Sequence, residues 1–210
     1  MSHRRNLVLG RLFRQNDGAA LVEFALVLPV LLTLFMGTFV LSDTIACYRK
    51  VTVSAKTLAD LVGRNIPPST TPSAATLITY INSAALVLSP YNQANATIEI
   101  DQLRVCDATH AYVVWSKAQA GSTSATPVLT AQTVVTIPAN LITTPMIPTS
   151  PDGSNVCSNT TAAANKTVVG TAGGYLLLGQ TSYDYRPVIN FNNGARYPIA
   201  DRIYMIPRLN

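Results

Sequence analysis

The spacing of apolar residues divides the chain into three parts. From Gly18 to Ser42 the only charged residue is Glu23, and Ala19 to Leu41 forms an unbroken run of 23 residues. As a helix this run spans about 34 Å, enough to cross a hydrocarbon core of about 30 Å. Beyond it, Ile45, Tyr48, Val51, Ala55, Leu58 and Val62 recur at three- and four-residue steps, the period of one helix face. Gly63 and then Pro67-Pro68 supply stop signals. The pattern predicts one helix from Ala19 to Val62, roughly 66 Å long. Its outer half would lay an apolar stripe on a folded domain rather than on a coiled-coil partner.

Residues 64–73, rich in Pro, Ser and Thr, read as a linker. Pro72-Ser73 opens a second predicted helix over 74–88, with Leu77, Tyr80, Ile81, Ala84 and Leu88 on one face and Ser89-Pro90 closing it. The period then changes to two. Ala96 to Val105 reads as a strand and Ala111 to Trp115 as its partner, with further strands at 133–137, 174–185 and 202–206. Short connections favour antiparallel pairing, and 149–166 reads as a polar loop. The expected class is α+β. A leader (1–18) precedes the membrane helix and its extension (19–63), the linker (64–73) and an exported domain (74–210).

Charge sharpens the membrane reading. The net charge is +5 and charged residues make up 12 %, about half the usual share. Arg4, Arg5, Arg11 and Arg14 precede Gly18, opposed only by Asp17, and without residues 1–18 eleven basic residues face nine acidic ones. The basicity thus belongs to the leader, which argues against nucleic-acid binding. Arg49, Lys50 and Lys56 follow the run, so the bias is modest. It places the N-terminus in the cytoplasm and residues 43–210 outside. A cleaved secretory signal fits poorly, because its apolar core is shorter and a small-residue cleavage site should follow. A lipoprotein site at Cys47 is spoiled by Asp43, and Arg4-Arg5 lies too far from the run for a twin-arginine signal.

Gly18 stands where the charged leader meets the apolar helix, with Glu23 and Phe24 five and six residues on. A peptidase working at the membrane edge needs open backbone, which glycine offers. Cleavage after Gly18 would leave Ala19 with a free amine. Ala19 and Glu23 are four apart and share a helix face. The new ammonium would pair with the carboxylate, within the chain or in a neighbour, and offset the roughly 2.5–3.5 kcal/mol that a buried charge costs at mid-membrane. A Glu that merely reaches for interfacial water is the plainer alternative. Pro29 removes one helical hydrogen bond and is expected to kink the helix.

The stretch Gly18-Ala19-Ala20-Leu21-Val22-Glu23-Phe24-Ala25-Leu26-Val27-Leu28-Pro29 resembles the start of TadE-like proteins, pseudopilins and minor components of the tight-adherence (Flp-type) pilus systems of bacteria. The resemblance spans roughly residues 14–60. Tyr183-Asp-Tyr-Arg-Pro187 and Pro207-Arg208 look like the tails of longer members. The resemblance implies a bacterial inner-membrane protein, cut by a prepilin peptidase, that joins or assists an adhesive pilus. Its partners would be that peptidase, other pilins and pseudopilins, the inner-membrane assembly platform and the lipid bilayer. It implies no catalysis and no cofactor. Together with the periodicity, it suggests a pilin-like plan, a long helix packed on an antiparallel sheet. The metal-binding Asp-x-Ser-x-Ser of related proteins with a von Willebrand-type domain does not occur in this sequence.

Of the three cysteines, Cys106 and Cys157 are the pair available to an exported domain. In an oxidising compartment they would close a loop of about 50 residues, worth roughly 4 kcal/mol in the chain-entropy model; two separate buried thiols are the alternative. Cys47 reads as a small apolar residue on a helix face. His3 and His110 are too far apart to suggest a metal site, and the sequence holds neither a phosphate-cradling Gly loop nor a Gly-x-Ser-x-Gly elbow. Glu99, Asp101 and Asp107 are the densest acidic group, and the first two read as a solvated strand face. The expected function is a non-enzymatic, single-pass pseudopilin or minor pilus component. An unprocessed, membrane-anchored periplasmic scaffold or binding protein is the alternative, and a tethered enzyme a distant third.

Overall fold

The computed structural model describes residues 17–68, 70–142, 174–189 and 194–208. Helix α1 runs from Asp17 to Asn65 without a break. Helix α2 (Ala74–Ala85) begins at an N-cap on Ser73, whose hydroxyl accepts the Thr76 N–H at 3.1 Å, which satisfies one of the four unpaired donors of a helix start. A 3₁₀ turn, Leu86–Leu88, extends α2 to its predicted limit. The strands are β1 (Ala96–Val105), β2 (His110–Ala120), β3 (Thr123–Ala125), β4 (Val134–Thr136), β5 (Tyr175–Tyr185) and β6 (Tyr197–Met205). The fold is α+β.

The sheet is antiparallel, in the order β3-β2-β1-β5-β6, with β4 pairing the other end of β2. Between Gln102 and Leu103 the pairing with β2 slips by one residue: Gln102 faces Trp115 and Leu103 faces Val113. At this β-bulge Trp115 and Val113, two residues apart, fall in the cores on opposite faces of the sheet. On one face Ile98, Ile100, Trp115, Leu177, Tyr183 and Tyr185 pack against Val51, Leu58 and Val62 of α1 and Leu77 and Ile81 of α2. On the other, Leu103, Val113, Leu176 and Leu178 pack under Leu129 and Ile137.

The outer half of α1 is therefore part of the domain. Cys47, Val51, Ala55, Leu58, Ala59 and Val62 are fully buried, the face that the three- and four-residue steps predicted, with Ile45 and Tyr48 left exposed. Polar ties fix its register: the Ser54 hydroxyl donates to the Ala84 carbonyl at 3.0 Å, and that of Thr52 to Asp201 Oδ2 at 2.5 Å. At the far end the Arg208 N–H donates to the Gly63 carbonyl at 3.0 Å, and Asp60 lies 2.9 Å from Arg64 and 3.5 Å from Arg208.

Candidate functional site

The residues expected to direct processing and assembly stand at the start of α1, which begins at Asp17, so Gly18 and Ala19 are helical. Glu23 and Phe24 follow within the next two turns, both exposed, Phe24 by 61 %. The helix continues through Pro29. Its apolar stretch is long enough to cross a membrane, and none of it is buried by the rest of the chain. So many bare Leu, Val and Phe side chains are what a membrane-spanning helix presents. The hydroxyls in this stretch are satisfied internally: Thr33 donates to Val30, Thr38 to Phe35 and Ser42 to Thr38, each to a carbonyl at 2.8 Å, as hydrocarbon demands. Glu23 is the exception. Among the described residues it has no hydrogen bond or ion pair.

A second cluster lies where the helix leaves its apolar stretch. Asp43 is the first charge after the run. Its carboxylate accepts the Tyr91 hydroxyl at 2.9 Å and the Tyr185 hydroxyl at 2.5 Å, and Tyr91 also reaches the Asp43 carbonyl at 3.1 Å. The Tyr91 ring meets those of Tyr183 and Tyr185 edge-on, at 5.9 and 6.5 Å, a favoured aromatic geometry. Burial, and then the hydrogen bond to Asp43, push the Tyr185 phenol up to about 12 and raise that of Tyr91 as well. Both hydroxyls stay protonated donors at any physiological pH. The cluster fixes the domain to the helix just past the end of the apolar stretch. Sequence reasoning assigned Tyr91 and Tyr185 no part in holding the helix. The signal it passed over was a lone acid closing an apolar run.

The acidic group on β1 corrects an expectation. Glu99 and Asp101 were read as a solvated face, yet they are 2 % and 0 % exposed. Glu99 accepts the N–H groups of Val128 and Leu129 at 2.9 and 3.0 Å, holding the 126–130 segment across the sheet. Asp101 accepts from the Ser116 hydroxyl and, at 3.0 Å, from the Gln180 amide. Burial and the adjoining Glu99 carboxylate push Asp101 up to about 8. Sequence alternation showed which face the pair occupies but not that the β3–β4 region covers it.

The remaining candidates offer no reactive arrangement. Asp107 accepts the N–H groups of Thr109 and His110 at 2.7 and 2.8 Å and lies 3.0 Å from the His110 ring, which closes the β1–β2 turn. Among the described residues no three His, Cys, Asp or Glu side chains gather as a metal site. Cys47 is a free, buried thiol of the helix face. Cys106 is buried just past β1, whereas Cys157, the 149–166 loop and leader residues 1–16 lie outside the described residues.

A family model described as TadE-like protein matches residues 18–52, the family that the N-terminal pattern resembles. The match covers the apolar helix and the first turns of its extension and ends before the sheet. With the unburied apolar helix, it points to a pilus-related protein with a single N-terminal membrane helix. No curated protein and no solved structure shows a significant match.

Proposed function

Taking the TadE-like match as the premise, we propose that the protein is a non-enzymatic pseudopilin or minor component of a tight-adherence pilus. It is cut by a prepilin peptidase after Gly18 and held in the bacterial inner membrane with its sheet domain in the periplasm. The observation that carries this reading is Glu23: a lone carboxylate on a bare apolar helix, four residues after the residue that cleavage would expose. In lipid such a charge needs a partner, and the freed amine of Ala19, in the same or an adjacent subunit, supplies one. Its working partners are the peptidase, other pilins and pseudopilins, the assembly platform and the bilayer.

Export also places Cys106 and Cys157 in an oxidising compartment, where they would form a disulfide tethering the polar segment to the end of β1. Cys47, buried against the domain, would take no part.

Mass spectrometry of protein extracted from membranes of a host with the peptidase tests the reading. A mature chain starting at Ala19 is expected. A chain that keeps residues 1–18 would refute processing and leave the unprocessed scaffold as the better account.

A further inference from the structure

The sheet domain meets the membrane at one defined end. The apolar run closes at Leu41, and Asp43 lies about 3 Å further along the helix axis. The headgroup layer extends roughly 5–8 Å beyond the hydrocarbon. Tyr91 and Tyr185 are hydrogen-bonded to Asp43, so they stand in that layer, the depth that Tyr side chains favour. Strand direction brings other groups to the same level. β5 ends at Tyr185, β6 begins at Tyr197 and pairs it there, and β1 begins at Ala96 opposite Tyr183.

This end is armed for a lipid surface. Val188 is 75 % and Tyr197 48 % exposed, an apolar and an amphipathic group at the rim. Arg186 and Arg196 are both exposed. The Arg186 guanidinium lies beside Gly194, 3.9 Å from where a β-carbon would be, which puts it two residues from Arg196 along the chain. Arg186 has no ion pair among the described residues. Arg196 is held loosely, 3.7 Å from Asp184 and 3.3 Å from Asn95 Oδ1, beside a polar depression of about 350 Å³ that Thr97 and Ser182 also line. The other acid at this end, Asp43, is engaged by two phenols.

We propose that this rim, Arg186, Val188, Arg196 and Tyr197, is a second membrane contact, and that its two arginines bind the headgroup phosphates of anionic phospholipid in the leaflet from which α1 emerges. The inference rests on α1 spanning the bilayer. Guanidinium groups take phosphate oxygens in a bidentate fork, and each basic residue at an anionic surface raises the bound population roughly fivefold. The domain then lies against the bilayer in one orientation instead of swinging on its stalk.

The test uses the full chain in nanodiscs, with spin labels on Leu31→Cys, Val188→Cys and Thr109→Cys in separate samples, in phosphatidylcholine with and without phosphatidylglycerol. Oxygen against nickel accessibility should place the Leu31 label in hydrocarbon, the Val188 label at the interface and the Thr109 label, at the opposite end of the sheet, in water. Phosphatidylglycerol should move the Val188 label deeper, and R186Q/R196Q should abolish that shift while R186K/R196K retains most of it. A water-exposed Leu31 label would overturn the anchor itself. A buried Leu31 label with a Val188 label as aqueous as that of Thr109 would overturn this inference alone. So would a phosphatidylglycerol response that survives the double glutamine substitution.

Discussion

The backbone carbonyl of Ala55 presses on Gly179: a β-carbon at residue 179 would stand 2.5 Å from that oxygen and 3.2 Å from the Ala59 β-carbon. The helix crosses β5 at backbone contact distance, and the small residues Ala55, Ala59 and Gly179 make this possible. The central strands are built for it, since Gly179 pairs Ile100 and Ile203 on either side. These larger side chains close the space around the crossing.

Gly179→Ala is therefore expected to destabilise the domain by about 1–3 kcal/mol, the range for overpacking a tight core. The obstacle is helix backbone, which cannot rotate away. Gly37, in the apolar stretch, has nothing within 4 Å of its own β-carbon position, so Gly37→Ala should leave domain stability unchanged. Thermal unfolding of both variants in the same detergent, followed by near-ultraviolet circular dichroism of the buried Trp115, separates the two. Equal melting temperatures would refute the close crossing.

The Asp43 cluster predicts a local effect. Tyr185→Phe deletes a hydrogen bond to a charged acceptor, worth about 1.5–3 kcal/mol, and leaves the ring packed. Hydrogen exchange should accelerate in residues 91–97 and 183–188 and stay unchanged at the α1–Arg208 contact, where Gly63 accepts the Arg208 N–H. Tyr91→Phe should act in the same direction, because its hydroxyl donates to the same carboxylate. Uniform acceleration over the whole domain would show that the cluster is not a local fixture.

Asp101 makes stability depend on pH in an unusual direction. Its folded value, near 8, lies above the unfolded carboxyl value of about 3.9. The folded state therefore holds the extra proton across that window. The contribution is complete below about pH 4 and is lost as pH rises through about 8, at no more than about 1.4 kcal/mol per pH unit. Ser116 and Gln180 donate to different oxygens of Asp101, so Asp101→Asn keeps an acceptor for one of the two and does not titrate. It should flatten the stability profile between pH 4 and 8 and make the variant relatively more stable at the alkaline end. Urea midpoints across that range supply the check, and an unchanged slope would exclude Asp101 as the titrating group.

How far the sequence could be read follows from which interactions are local. Helix periodicity found the buried face of α1, because Val51, Ala55, Leu58 and Val62 repeat at 3.6-residue spacing whatever they meet. Alternation found β1 to the residue, and Ser73 announced α2 through its capping hydroxyl. β2 was expected to end at Trp115 and runs to Ala120, while β6 starts at Tyr197 rather than Arg202. In both, polar residues such as Lys117, Gln119 and Asp201 hide the strand from a hydrophobic pattern. β3 is three polar or small residues held by its partner alone. The burial of Glu99 and Asp101 and the capture of Asp43 by Tyr185, 142 residues away, depend on tertiary contacts that no local window contains. The TadE-like character of the N-terminal stretch was legible for the opposite reason. Gly18, Glu23 and Phe24 lie within one short helical stretch, and the match over residues 18–52 falls on the part of the chain that a local pattern can identify.

Separate roles for Gly18 and Glu23 yield the final prediction. If Gly18 serves the peptidase, a bulky residue there should block cleavage: Gly18→Leu is expected to accumulate as the full-length chain, still membrane-bound because Ala20 to Leu41 is unaltered. If Glu23 serves the cut product, it is not needed for cleavage and becomes important only once the Ala19 amine exists. Glu23→Gln should therefore be processed to Ala19 at a near-normal rate and lose pilus-linked activity, since a neutral amide cannot pair with the ammonium. The double variant should resemble Gly18→Leu alone, because a chain that is never cut has no amine for Glu23 to meet. N-terminal mass and surface-pilus counts on the three strains read both roles at once. An uncleaved Glu23→Gln chain would move Glu23 into peptidase recognition, and full pilus formation by Glu23→Gln would reduce the carboxylate to a side chain reaching for interfacial water.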